Sequence, residues 1–299
     1  MKIRFYLIRE IVFYLTLFFS ALFIALLGNY IGSFLNMVII RYPRILSSQW
    51  ERECHDFLEL STAKPKPVPY TLLTPGSHCP HCEKPIPGRY NLPVIGYFLV
   101  KGRCTQCQKR ISLRYPIIEV LTGLVSFVLA WRFGWSPSVV MGLLLSYALI
   151  VLFFIDLDHQ FLPDTITLSM LWIGLVWSVT SVHWVSPSQA IIGAFVGYFI
   201  LWILNKGYVV LRGHDGMGYG DFKMSAMLGA FFGVAGIIQV LILATILGGL
   251  CGLGLMLWRR ADLKTAVSFG PFIAVVGWIT LLFGVTGVAH LFHFPLPHA

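Results

Sequence analysis

The sequence predicts an all-α polytopic membrane protein with about eight transmembrane helices and a small cytoplasmic insert between helices 1 and 2. Three observations support this class. Only 12% of the 299 residues are charged and 57% are hydrophobic, whereas soluble domains carry about 25% charged residues. The mean hydropathy is +0.77. Uncharged runs of about 20 residues, long enough for a helix to cross a bilayer core, recur along the chain.

The uncharged runs give the transmembrane helices in order. The first begins near Phe5 and extends through the high thirties, which is too long for the apolar region of a signal peptide, so we expect a retained helix. The stretch from Met224 to Trp258 exceeds one crossing, and because it contains Gly233 and Gly236 we divide it into two. The other predicted crossings cover 115–131, 133–155, 165–182, 190–204 and 266–292.

A polar segment separates the first apolar run from the rest and holds more than half of the Lys and Arg residues. We therefore divide the chain into a first transmembrane helix over 1–40, an insert over 41–114 and a transmembrane core over 115–299. Short loops rich in Lys and Arg face the cytoplasm. This rule places the insert and the loops carrying Lys206 and Arg259 in the cytoplasm, with both ends of the chain outside.

The net charge of +9 does not by itself indicate a nucleic-acid partner. Most basic residues flank apolar runs, where Lys and Arg anchor helices and face anionic lipid headgroups. The composition therefore favours membrane lipid as the partner of these charges and predicts no nucleic-acid binding.

Four of the six cysteines lie in the insert as two CxxC pairs, Cys79 with Cys82 and Cys104 with Cys107. Such pairs in a cytoplasmic segment favour a metal site over disulfides. Four thiolates can bind Zn²⁺ tetrahedrally at about 2.3 Å, and a closed site of this kind is structural. The sequence therefore predicts a structural zinc that stabilises an insert with little apolar material.

Two carboxylate clusters lie at the predicted cytoplasmic boundary, one closing the third helix at Asp156 and one opening the sixth at Asp221. Ionisable groups at membrane depth are expensive and are usually functional. Two carboxyl groups about 3 Å apart share one proton, so one can act as a base and the other as an acid. Gly218 and Gly220 lack a Cβ atom, which would let an extended substrate backbone approach Asp221.

Spacing alone leaves alternatives open for these residues. The two aspartates could instead relay protons in a transporter. Asp164 follows a proline and precedes a helix, so it is most simply an N-cap. Lys223 could pair with the two aspartates or anchor a helix end. Glu119, inside the second helix, could approach the substrate as a partner of the active site, could belong to a methyl-transfer site, or could bond to a neighbouring helix.

The two clusters together resemble the paired signature of the type IV prepilin peptidases, which are intramembrane aspartic peptidases of the GxGD class. The first cluster runs from Asp156 to Leu162-Pro163-Asp164, and the second reads Gly218-Tyr219-Gly220-Asp221. In the family, the first catalytic aspartate stands seven residues before the proline of this element, which selects Asp156 here. The second is the aspartate of GxGD, here Asp221.

The resemblance extends through the N-terminal part of the chain and covers roughly 28–271. The element Arg41-Tyr42-Pro43 departs from the family, which usually has leucine where Tyr42 stands. The other matching segments are Gly32-Ser33-Phe34-Leu35-Asn36, Cys79-Pro80-His81-Cys82, Asn91-Leu92-Pro93, Gly102-Arg103-Cys104-Thr105-Gln106-Cys107 and Arg114-Tyr115-Pro116-Ile117-Ile118-Glu119.

The resemblance implies two activities in a bacterial inner membrane. One cleaves the basic leader of type IV prepilins or type II secretion pseudopilins at the cytoplasmic face, with 115–299 as the aspartic peptidase core. The other N-methylates the new terminal residue with S-adenosylmethionine as methyl donor. Cleavage without methylation, with the zinc insert as a substrate dock, is the alternative within enzymes. The sequence shows no motif for binding the methyl donor.

Overall fold

The computed structural model describes residues 2–59, 65–79, 81–259 and 268–292. These residues form eight α-helices and one short 3-10 helix, with only isolated β-bridges besides. The all-α prediction is therefore confirmed. The helices are α1 (Lys2–Phe57), α2 (Ile95–Leu99), α3 (Arg114–Phe133), α4 (Pro137–His159), α5 (Asp164–Ser178), α6 (Pro187–Arg212), α7 (Tyr219–Arg259) and α8 (Gly270–Phe292).

Six of the described helices, all except α2 and α5, are long and apolar enough to cross a membrane. Helix α5 has 15 residues. Helix α7 has 41 residues and is interrupted at Gly233, where φ is 69° and ψ is −171°. Glycine adopts this φ at little energetic cost. The break therefore lies at one of the two glycines that led us to divide this run. With α5 and the two parts of α7, the apolar helical segments number about eight, as predicted.

The chain forms two compact units, 1–135 and 136–299. In the first unit, α1 packs along α3 through small residues, since a Cβ on Gly32 would lie 2.8 Å from the Cα of Glu119. Helix α1 continues to Phe57, well past the end of the apolar run. The segment predicted as the insert, 41–114, therefore begins within α1, and its later part contains the short helix α2.

In the second unit, α7 packs against α5, α6 and α8, and α4 packs against α8. The backbones of α6 and α7 touch where Gly193 faces Gly229, because a Cβ on either residue would overlap the carbonyl oxygen of the other. Small residues permit this close approach between apolar helices. The packing brings the end of α4 and the start of α7 into the same unit.

The structure corrects the expected role of Asp164. Helix α5 begins at Asp164, and Pro163 occupies the N-cap position with φ −64° and ψ 126°. The carboxylate of Asp164 is used elsewhere, in an ion pair with Lys223 at 2.6 Å. A tertiary partner outweighed the local capping preference.

Candidate active site and metal centre

Asp156 lies in the last turn of α4 and is 4% exposed. Its backbone carbonyl accepts a bond from the N–H of Gln160, which adopts a left-handed conformation and ends the helix. The Oγ of Ser268 donates a hydrogen bond to Oδ2 of Asp156. The backbone N–H of Gly270, the first residue of α8, donates a second bond to this carboxylate. The side chain is thus held by two donors from the start of α8.

Asp221 lies in the first turn of α7 and is 8% exposed. Leu162 connects the surroundings of the two carboxylates: a Cβ on Gly270 would lie 3.3 Å from Cδ1 of Leu162, and one on Gly220 would lie 2.9 Å from its Cβ. The fold therefore brings together two acids that are far apart in sequence.

The glycine-rich loop before Asp221 is organised by Asn205 of α6, which is 4% exposed. Its Nδ2 donates to Oδ1 of Asp215 at 2.8 Å. Its Oδ1 accepts from the backbone N–H of Gly216 at 2.9 Å and of Met217 at 3.2 Å. A buried amide with three such bonds fixes the loop on α6.

The two glycines predicted to admit a substrate differ in their surroundings. A Cβ on Gly218 would meet no atom within 4 Å, whereas one on Gly220 would press on Leu162. Gly218 therefore faces open space, and Gly220 permits close packing beside Asp221.

Lys223 forms its described contacts away from the two buried aspartates. Its Nζ donates to Oδ1 of Asp164 at 2.7 Å and to Oδ2 at 2.6 Å. The side chains are 27% and 55% exposed. This pair joins the start of α5 to the start of α7.

Glu119 lies in the first unit, on α3, and is 8% exposed. Its Oε2 accepts a hydrogen bond of 2.7 Å from the backbone N–H of Val94, which precedes α2. Ser33 of α1 donates a further bond to the carboxylate. Glu119 therefore ties the insert to α3 and α1.

The four cysteines of the two CxxC pairs converge on one point. All four Sγ atoms lie within 4.8 Å of one another. Sγ of Cys79 is 3.7 Å from that of Cys107, and Sγ of Cys82 is 4.0 Å from that of Cys104. A tetrahedral zinc with bonds of about 2.3 Å requires sulfur atoms about 3.8 Å apart. The cluster therefore has the geometry of a closed metal site.

The two cysteine pairs have the same backbone geometry. The N–H of Cys79 donates to the carbonyl of Lys84 at 3.0 Å, and the N–H of Cys104 donates to that of Lys109 at 2.9 Å. Each first sulfur also accepts a backbone N–H two residues later. The N–H groups of Cys107 and Gln106 lower the pKa of the Cys104 thiol to about 6. At Cys82 the backbone bond with Lys84 acts in the same direction, but burial and the other three cysteines outweigh it and raise the pKa to about 11. Cys104 is therefore the sulfur of the cluster that most readily forms the thiolate that metals bind.

Sequence reasoning did not single out Ser268 or Asn205. Ser268 lies 112 residues from its partner Asp156, and no local pattern specifies such a contact. The sequence does contain a signal for Asn205, because a single amide side chain near the end of an apolar helix is unusual.

The chain matches two family models. The bacterial peptidase A24 N-terminal domain matches residues 26–133. The type IV leader peptidase family matches residues 143–253.

Curated relatives cover most of the chain. It is 41% identical over 268 residues to the prepilin leader peptidase/N-methyltransferase of Aeromonas hydrophila, covering 90% of this chain and 91% of the relative. It is 43% identical to that of Pseudomonas putida, with coverages of 86% and 88%. It is 41% identical to that of Neisseria gonorrhoeae, with coverages of 85% and 87%. No solved structure matches the chain.

Proposed function

This chain belongs to the type IV leader peptidase family, and on that premise we propose that it cleaves the leader of prepilins or pseudopilins and N-methylates the new terminal residue. The family match spans both halves of the chain. The observation that carries the proposal is the burial of Asp156 and Asp221 in one unit, with Leu162 packed beside the surroundings of both.

In the proposed reaction, Asp156 and Asp221 share one proton. The bonds that Asp156 accepts from Ser268 and Gly270 favour negative charge on that residue, because hydrogen bonds to a carboxylate stabilise its ionised form. The ionised carboxylate removes a proton from water as the oxygen attacks the scissile carbonyl. The protonated carboxyl of Asp221 donates to the carbonyl oxygen. When the tetrahedral intermediate collapses, Asp156 gives the proton it took from water to the leaving nitrogen and the C–N bond breaks, while a hydroxyl of the intermediate returns its proton to Asp221 and becomes the carboxyl oxygen of the released leader.

The open space at Gly218 supports entry of an extended substrate backbone toward Asp221. Asn205 makes three hydrogen bonds to the residues directly before Gly218, and these bonds fix the position of the loop. Catalytic groups gain rate when their geometry is fixed before the substrate binds. We therefore assign substrate approach to the loop that contains Gly218.

The test compares Asp156→Asn and Asp221→Asn with wild type in cleavage of a co-expressed prepilin or pseudopilin. Either change removes an ionisable carboxyl of the pair, so each is expected to abolish cleavage while the protein inserts normally. Asp158→Asn is the matched control, because Asp158 is exposed on the same helix, and it is expected to retain cleavage. Normal processing by either of the first two variants would refute the dyad and leave the proton-relay alternative.

We propose that the cysteine cluster holds one structural Zn²⁺. The four sulfur atoms fit a tetrahedral ion, and a site of four thiolates has no open position for catalysis. Metal analysis of the purified protein should give about one zinc per chain. The pair Cys79→Ser with Cys82→Ser should lose it, whereas Cys54→Ser, at an exposed cysteine outside the cluster, should keep it. A fully active metal-free protein would overturn this assignment.

We propose S-adenosylmethionine as the methyl donor, because the relatives are named N-methyltransferases. When bound, the donor supplies a methyl group to the free α-amine of the mature substrate. A cavity in the first unit bears four cationic side chains on its wall, which do not suit a sulfonium ion, so we assign no residues to the donor. Mass spectrometry of the processed N-terminus, with and without the donor, tests the activity. An unmethylated product in both cases would leave a peptidase alone.

We propose a multi-pass location in the bacterial inner membrane with the dyad near the cytoplasmic face. The apolar helices support membrane insertion, and the basic loops support the orientation. Cysteine-accessibility labelling in intact cells would test it, because an insert labelled from outside would reverse the orientation.

A further inference from the structure

A cavity of about 660 Å³ lies in the first unit, between the metal centre and the start of α3. This volume is within the range of small-molecule and headgroup sites. Tyr97 forms part of the wall, and its hydroxyl end approaches Gly102 so closely that a Cβ there would lie 2.6 Å from Oη. Gly102 also has a φ of 64°, so this wall requires a glycine.

The cavity wall is strongly cationic. Its basic side chains are Lys101, Arg103, Lys109 and Arg110. No acidic side chain is among the described residues that line it. Arg103 and Arg110 are paired across an antiparallel β-bridge, and like charges in that position repel each other. An anion in the cavity would relieve the repulsion.

The metal centre cannot account for all of this charge. Cys79 lines the same cavity, and zinc with four thiolates carries a net charge of about −2. The basic side chains outnumber that charge, so the wall stays positive when the metal is bound.

Several apolar side chains that line the cavity, or that neighbour its lining residues in sequence, are exposed, and we call them the apolar rim. Leu113, which lines it, is 63% exposed and directly precedes the transmembrane helix α3. The short helix α2 exposes Ile95, Phe98 and Leu99 by 59%, 68% and 58%. Tyr97 and Tyr115 also line the cavity, and tyrosine is enriched at membrane interfaces.

We propose that this cavity binds the headgroup of an anionic phospholipid, with Leu113 and the apolar residues of α2 lying in the membrane interface. The four cations fit a phosphate-bearing headgroup, and the apolar rim fits the start of the acyl chains. Free phosphate would leave the apolar rim without a partner. The proposal does not rest on the chemistry proposed for Asp156, so its failure would not affect the peptidase assignment.

The first experiment titrates the purified, delipidated full chain with phosphatidylglycerol and measures adducts by native mass spectrometry. Each cation at a membrane surface changes lipid affinity about fivefold. The double variant Lys101→Gln with Arg110→Gln should therefore bind the tightest lipid about 30-fold more weakly. The control Lys66→Gln with Lys84→Gln removes the same charge from exposed positions outside the cavity and should bind like wild type.

Several outcomes would overturn the proposal. An equal loss of affinity for phosphatidylglycerol in the two double variants would show that the lipid is attracted by charge without a specific site. Phosphatidylcholine binding as tightly as phosphatidylglycerol would exclude charge recognition. Displacement of the lipid by millimolar inorganic phosphate would identify a free-phosphate site, and displacement by S-adenosylmethionine would identify a donor site.

A second experiment uses only the wild-type chain, so its result does not depend on whether a variant folds. Hydrogen exchange is measured on the wild-type chain in nanodiscs of phosphatidylcholine, with and without phosphatidylglycerol. Backbone amides of 95–113 should exchange more slowly in the anionic nanodiscs, while those of 65–76 should not change. Identical exchange at 95–113 in both membranes would overturn the proposal.

Discussion

The hydroxyl of Ser268 donates a hydrogen bond to the carboxylate of Asp156, and these residues lie 112 positions apart. A hydrogen bond to a charged group contributes about 1.5–3 kcal/mol. Ser268→Ala is therefore expected to lower kcat for leader cleavage by about tenfold or more. Ser268→Thr keeps a hydroxyl and should retain most of the activity.

The dependence of cleavage on pH separates a positioning role from a structural one. If Ser268 orients and stabilises the Asp156 carboxylate, the alanine variant should show a displaced limb of the pH profile, because protonation of the dyad changes. A profile that is only scaled down, with equal losses in the threonine variant, would show that Ser268 merely supports the fold.

The bond between Glu119 and the N–H of Val94 predicts a structural effect in the insert. Glu119→Leu leaves the part-buried N–H of Val94 without its acceptor, which costs about 1 kcal/mol of unfolding free energy, at the low end of the range for an unsatisfied buried group. Glu119→Gln keeps an acceptor oxygen and should be less destabilised. Thermal unfolding and limited proteolysis of the insert would measure both. Loss of methylation in a fully stable Glu119→Gln protein would instead give Glu119 a part in methyl transfer.

The pair between Lys223 and Asp164 is partly exposed, and such pairs contribute at most about 1 kcal/mol. Lys223→Ala is therefore expected to lower stability slightly and to retain leader cleavage. The exchanged variant Lys223→Asp with Asp164→Lys should recover the lost stability. Complete loss of cleavage in a folded Lys223→Ala protein would show that Lys223 serves the dyad.

The contact between Gly193 and Gly229 predicts a position that tolerates no side chain. Gly229→Val would force α6 and α7 apart, because its Cβ would overlap the backbone of Gly193. The amount of folded protein recovered in detergent should fall severalfold. Gly207→Ala is the control, since a Cβ there meets no atom within 4 Å and alanine favours a helix by about 1 kcal/mol. Equal recovery of both variants would contradict the close helix contact.

Some features were predictable because local chemistry specifies them. The break at Gly233 followed from an apolar run too long for one crossing, with glycines inside it. The two CxxC pairs predicted a metal site, because together they supply four sulfur ligands. In contrast, Asp164 was expected to cap its own helix, and only the position of α7 shows why it pairs with Lys223 instead.

The sequence by itself determined the class of the protein, since apolar runs of spanning length and scarce charge leave a bilayer as the only suitable solvent. It also singled out Asp156 and Asp221 as candidates for a functional site, because ionisable groups at membrane depth are costly and are usually functional. Only the tertiary structure decided what surrounds them. Ser268 lies beside Asp156, Leu162 lies between Gly220 and Gly270, and Asn205 bonds to the loop that precedes Asp221. These contacts depend on how helices distant in sequence pack, and side-chain spacing along one helix does not encode that packing.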